Sequence, residues 1–150
     1  ASGQTTPLHF TSFEAFPMAA DEMARALEAF PILAPYAKPL VAAWAEDTTL
    51  ATLQGVNARV VIGDARHTLQ ATDLAADAWF LDGFSPAKNP ELWDADLMRD
   101  VADHTKSNGT IATYTAAGFV RRNLAEAGFD VTRVPGYGRK RHMTVARKQS

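Results

Sequence analysis

Short apolar stretches of two different spacings alternate along this chain. Residues 8–13 (LHFTSF) read as a short strand, and Pro17 then opens a helix-like run with Met18, Met23, Leu27 and Phe30 at helical spacing. Pro31, Pro35 and Pro39 follow. Proline removes a backbone donor and crowds the preceding turn, so this region is expected to be irregular or made of short helices, such as residues 32–36 and 40–44. Val56–Ile62 is strand-like and ends at Gly63-Asp64-Ala65, and residues 67–72 predict one or two helical turns. Residues 77–81 (DAWFL) form a near-continuous apolar strand stopped by Asp82-Gly83. Leu92, Trp93, Leu97 and Val101 place a helix over residues 92–104, Asn108-Gly109 predicts a turn, and residues 110–115 are rich in β-formers. Residues 118–128 are amphipathic, with Gly128 placed as a helix C-cap. Residues 131–134 and 142–146 predict a closing antiparallel pair joined through Gly136-Tyr137-Gly138.

Strands alternating with helices predict a doubly wound α/β sheet, in which ligands bind outside the carboxyl ends of the strands. Three successive strand ends carry an acid: Glu14, Asp64 and Asp82. Each alone has an ordinary explanation as a turn residue or helix N-cap. Their recurrence is what points to one shared crevice. In a nucleotide-binding sheet, a strand-end carboxylate can accept both ribose hydroxyls, and Glu14 sits where it would be needed. At the next of these strand ends, Asp64 can accept an exocyclic adenine amine. Asp82 would then face the point where donor and acceptor meet, orienting an attacking amine and offsetting its developing charge.

Composition narrows the classes. The chain has 150 residues, 47% apolar, enough for one domain with a core; the domain expected is a single one over residues 1–150. No apolar run approaches the roughly 20 residues of a membrane span, and the start lacks a signal-peptide pattern. Without cysteine there are no disulfides or thiolate metal sites, and a cytoplasmic location is expected. The net charge of −2 does not favour nucleic acid, but its distribution is uneven. Arg121, Arg122, Arg133, Arg139, Lys140, Arg141, Arg147 and Lys148 crowd the last thirty residues, either as a solvated end or as a phosphate-facing one. Tyr137 beside Arg139 and Lys140 suits an unstacked nucleotide. Arg121 and Arg122, near a helix start, would meet phosphate or pair with Glu126. Lys88 is a phosphate contact or a plain loop cation. His9, His67, His104 and His142 lack metal-ligand spacing, so no metal is assigned; no Gly-x-Gly-x-x-Gly occurs, so neither flavin nor nicotinamide is assigned.

Residues 77–93, DAWFLDGFSPAKNPELW, resemble the hallmark of the methyltransferase domain in the bifunctional tRNA 5-methylaminomethyl-2-thiouridine biosynthesis proteins. HFTSFEAFP (residues 9–17), TYTAAGFVRRNLAEAGF (113–129) and GYGRKRHM (136–143) are similar to the same family in the same order. The resemblance implies a class I, Rossmann-like fold dependent on S-adenosylmethionine, acting on the aminomethyl group of a wobble uridine in the tRNA anticodon. In many members a flavin-dependent oxidase domain follows. Carried over by motif, Glu14 would hold the donor's ribose, and Asp64 with Ala65 would lie near the adenine. Asp82, Gly83 and Phe84 would border the transferred methyl, with Asp82 as the catalytic residue. Phe84, Lys88, Tyr137, Arg139 and Lys140 would contact the tRNA. Trp79, Phe80 and Trp93 are expected in the core, whereas Phe84 is divided between packing and base stacking. The family's opening strand and glycine-rich turn would precede His9, so the sheet is expected to be N-terminally incomplete. A methyltransferase for another small amine, and a non-catalytic scaffold or tRNA-docking module, are the competing readings.

Overall fold

The computed structural model describes residues 6–53, 55–138 and 140–150. They group into two compact units, the first ending at Thr68 and the second running from Leu69.

In the first unit, β1 (Leu8–Glu14) lies parallel to β3 (Val56–Ile62), and β2 (Leu50–Leu53) lies antiparallel on the other side of β3. The sequence reading passed over β2, although its short alternation runs into Gly55, whose φ of 79° suits a tight return. Helix α1 (Ala20–Glu28) begins three residues later than Pro17. The Glu22 carboxylate accepts the Ala19 N–H at 3.0 Å and fixes that start. Met18 stays outside the helix, and its carbonyl accepts the indole N–H of buried Trp44 at 2.8 Å.

The proline-rich stretch is more regular than expected. After a 3-10 turn at Pro31–Leu33, α2 (Ala34–Glu46) is one continuous helix with Pro39 inside it. Pro35 sits in the first turn, where no donor is needed, and Pro39 removes only the bond back to Pro35. Helix α3 (Ala65–Thr68) is shorter and earlier than residues 67–72. The Asp64 carbonyl accepts the N–H groups of His67 and Thr68 at 3.0 and 2.9 Å, so the turn is set from Asp64.

The second unit is a four-stranded sheet in the order β4 (Ala76–Leu81), β5 (Thr105–Thr113), β7 (His142–Lys148), β6 (Phe129–Pro135). The β4–β5 pair is parallel, and β6–β7 is the antiparallel pair read from the sequence. Asn108-Gly109 is a bulge within β5 rather than a turn between elements. Register passes from Ala76↔Thr105 to Ala78↔Thr110, and Asn108 takes φ 64° to absorb the extra residues. A 3-10 turn (Pro90–Trp93) precedes α4 (Ala95–Asp103), which is capped by Asp94 through a 2.8 Å bond from the Leu97 N–H. Helix α5 (Gly118–Glu126) ends before Gly128, whose φ of 94° places it one position beyond the cap.

The core of this unit gathers Leu97, Met98, Val101 and Ala102 of α4, Val120 and Leu124 of α5, Ile111 of β5 and Ala146 of β7. Trp93 is buried as expected, and the Trp79 indole donates to the Thr105 hydroxyl at 2.8 Å. Phe80 is not in the core: it is 75% exposed. Successive strand residues point to opposite faces, so the side that takes Trp79 inward turns Phe80 out.

Candidate functional site

Two strand-end clusters carry the acids singled out in the sequence, one in each unit. In the first, β1 and β3 stay in register to their ends, where Glu14 partners Ile62. The Gly63 N–H then donates to the Glu14 carbonyl at 2.9 Å. Gly63 has a φ of 134°, and a Cβ there would stand 2.7 Å from the Thr68 methyl, so only glycine makes this turn without strain. Glu14 and Asp64 thereby leave the same carboxyl edge of one parallel pair. Glu14 is exposed, and Ser12 Oγ donates to its Oε1 at 2.9 Å. Ala65 opens α3 directly after Asp64.

Asp64 is more tightly engaged than the sequence alone indicates. Its Oδ1 accepts the Arg66 backbone N–H and Nε, both at 3.0 Å, and its Oδ2 accepts Nη2 at 2.5 Å. The side-chain hydrogen bond from Arg66, aided by the backbone one, lowers the Asp64 carboxyl from 3.8 to about 2. A depressed folded value means that the stability tied to this pair is fully present above pH 3.8 and is lost as pH falls through about 2. A carboxyl titration followed by NMR should give a midpoint near 2 in the parent chain and a higher one in Arg66→Ala. An unmoved midpoint would contradict the pairing.

In the second unit, Leu81 of β4 pairs with Thr113 of β5, so Asp82 and Tyr114 emerge side by side at one carboxyl edge. The Asp82 side chain is exposed, and among the described residues nothing hydrogen-bonds or ion-pairs with it. It therefore does not cap the turn. The backbone after it is held firmly. The Tyr114 hydroxyl donates to the Gly83 carbonyl, and the Trp93 indole N–H donates to the Phe84 carbonyl, each at 2.8 Å. Asn123 of α5 steadies this arrangement by donating to the Trp93 carbonyl at 2.8 Å. The Phe84 ring projects outward, 76% exposed, from that fixed backbone. Ser85 closes the segment by accepting the N–H groups of Lys88 and Asn89 at 2.8 and 3.0 Å, with Pro86 buried and Lys88 exposed.

The β6–β7 loop reaches the same cluster. Lys140 Nζ stands 4.8 Å over the centre of the Tyr114 ring, whose edge-to-face neighbour at 6.3 Å is Trp93. Tyr137 is almost wholly exposed at the loop tip. Arg139 lies outside the described residues. The sequence separates this loop from Asp82, but the structure brings Lys140 against the residue that holds Gly83. Arg121 lies on α5 with its Nε buried and without a hydrogen-bond partner, and no ion pair to Glu126 occurs among the described residues. Sequence reasoning missed Arg66 and Tyr114. Their only signals were positions, two residues after Asp64 and one after β5.

The family model for S-adenosyl-L-methionine-dependent methyltransferases matches residues 28–149. The chain belongs to this family. The crystal structure of MNMC2 from Aquifex aeolicus is 25% identical and superposes with a TM-score of 0.64, covering 92% of this chain and 53% of that one. The antibiotic-resistance methyltransferase Kmr, 10% identical with a TM-score of 0.53 over 97% of this chain and 89% of its own, shares the fold alone. The fold is thus the class I, Rossmann-like one, and the donor of the family is S-adenosylmethionine. The chain is also similar to the tRNA 5-methylaminomethyl-2-thiouridine biosynthesis bifunctional proteins MnmC. The Pseudomonas paraeruginosa protein is 46% identical over 91% of this chain, and the Ectopseudomonas mendocina protein is 48% identical over 91%. The chain spans 22% of the length of each.

Proposed function

We propose that this chain supplies the methyl-transfer half of wobble-uridine maturation in tRNA, moving a methyl group from S-adenosylmethionine to the primary amine of an aminomethyl-uridine. The observation that carries this reading is the segment after β4. It combines a carboxylate at Asp82 that nothing among the described residues engages and an outward aromatic ring at Phe84 on a backbone pinned by Tyr114 and Trp93. The similarity to MnmC proteins over nine-tenths of the chain supports the choice of substrate. In the relatives this stretch is about a fifth of a longer protein, so a partner domain carrying the flavin-dependent oxidation belongs to the same reading. A cytoplasmic location, where tRNA is modified, goes with it.

The first unit fits the donor's nucleoside. Glu14 offers an exposed carboxylate for the ribose hydroxyls, and Asp64, kept ionised by Arg66, offers an acceptor near the adenine amine, with Ala65 at its side. When bound, S-adenosylmethionine supplies an electrophilic methyl carbon. Only the free amine of the uridine substituent can attack, so its ammonium proton must first leave to solvent. Asp82 would then accept an amine N–H, turn the lone pair toward the carbon and offset the positive charge that grows on nitrogen as the N–C bond forms and the methyl–sulfur bond breaks, its electron pair staying on the sulfur of the departing thioether. Phe84 stacks on the base, while Lys88, Lys140, Tyr137 and Arg139 meet the anticodon strand.

Glu14→Ala and Asp64→Ala should each weaken S-adenosylmethionine binding by about 1–3 kcal/mol in calorimetry, with tRNA affinity nearly unchanged. Parental donor affinity in both variants would remove these residues from the assignment.

A further inference from the structure

The structure assigns Tyr114 as a positioning residue for methyl transfer, tying the docking loop to the Asp82 segment. The assignment rests on the reading of Asp82 and Phe84 given above and adds a role to a residue outside it. Tyr114 is the first residue beyond β5, and strand pairing sets it beside the end of β4. Among the described residues its hydroxyl makes a single polar contact, a 2.8 Å bond to the Gly83 carbonyl. That carbonyl belongs to the residue directly after Asp82, in the peptide unit that joins Gly83 to Phe84. Gly83 has no side chain to lock it by packing, and a Cβ there would only touch Leu92 and Trp93 at 3.5 Å. Asp82 thus stands between the paired end of β4 and a backbone held by two carbonyl anchors, from Tyr114 and Trp93.

The two anchors are not equivalent. Trp93 is sealed in the core at 1% exposure, so its bond to Phe84 is a fixed part of the fold. Tyr114 is half-buried, and its outer face carries the Lys140 ammonium at 4.8 Å. Lys140 itself is exposed, in the loop closed by the Gly136 N–H to Arg141 carbonyl bond at 3.2 Å. Lys140 and the Gly83 carbonyl thus meet on one side chain, the ring face of Tyr114 taking the cation and its hydroxyl the carbonyl.

Tyr114→Phe removes the hydroxyl and keeps the ring, so both the Trp93 edge contact and the Lys140 contact persist. The single-turnover methyl-transfer rate at saturating donor and tRNA should fall about tenfold, the range expected when one positioning hydrogen bond is lost and a reacting group drifts. Donor and tRNA dissociation constants should stay at parental values, and the melting temperature should fall by no more than about 2–4 °C, too little to unfold the protein at the assay temperature. Combined with Asp82→Asn, the two rate losses should be much less than multiplicative, because Tyr114 acts through Asp82. A parental rate in Tyr114→Phe, or fully multiplicative losses, would overturn the positioning role while leaving the methyl-transfer reading intact. A parental rate in Asp82→Asn would instead remove the reading on which the role rests.

Discussion

Asp82→Asn is expected to lower the single-turnover methyl-transfer rate on the order of 10²-fold while leaving tRNA affinity and melting temperature unchanged. The separation follows from the geometry. The carboxylate is exposed and bonds to nothing among the described residues, so losing its charge removes no contact that stabilises the fold. A surface exchange of that kind ordinarily moves stability by less than about 0.5 kcal/mol. The charge matters only once an amine is beside it. An amide oxygen can still accept an N–H bond but cannot offset the positive charge that appears on nitrogen. Rates corrected for the folded fraction in a thermal melt decide the matter. A rate loss that vanishes on correction would make Asp82 a structural residue.

The largest effect on stability is expected at Trp93. Its side chain is 1% exposed, packs edge-on to Tyr114 and donates to the Phe84 carbonyl. Trp93→Ala should cost about 3–5 kcal/mol, because the cavity left behind cannot collapse where α5 is fixed to the Trp93 carbonyl through Asn123. The freed Phe84 carbonyl should also loosen the segment carrying Asp82. Denaturant unfolding should show the stability loss. In the remaining folded protein, the methyl-transfer rate should fall more steeply than donor affinity. A loss below about 1 kcal/mol would mean that this tryptophan is not the keystone the packing makes it.

Much of the architecture is legible from spacing alone. The strands β1, β3, β4 and β7 and the helices α4 and α5 lie close to where the apolar periodicity puts them, because each buries one regular face. The failures have local causes. Pro39 did not break α2, since the lost bond falls near the helix start, where few donors are in use. Asn108-Gly109 signalled a turn, but a bulge uses the same backbone angles and leaves β5 continuous. Phe80 carries a core-type side chain on a strand face that the described residues leave exposed.

The strand-end positions of the three acids were legible in the sequence, and their supports were not. Strand ends followed by an acid stand out in a sequence, and Glu14, Asp64 and Asp82 could be named from it. What holds each one could not. The Arg66 fork on Asp64 depends on the turn at Gly63, and the Tyr114 bond to Gly83 joins residues 31 apart in sequence. The closeness of Lys140 to that pair depends on β7 lying next to β5, which no local pattern encodes.

The most direct measurement uses methyl-labelled S-adenosylmethionine and tRNA bearing unmethylated aminomethyl-uridine at the wobble position, followed by nucleoside analysis. Label is expected in methylaminomethyl-uridine, formed by the protein carrying this chain and strongly reduced by Asp82→Asn. Label absent from that nucleoside, or incorporated equally with and without the Asp82 carboxylate, would contradict it.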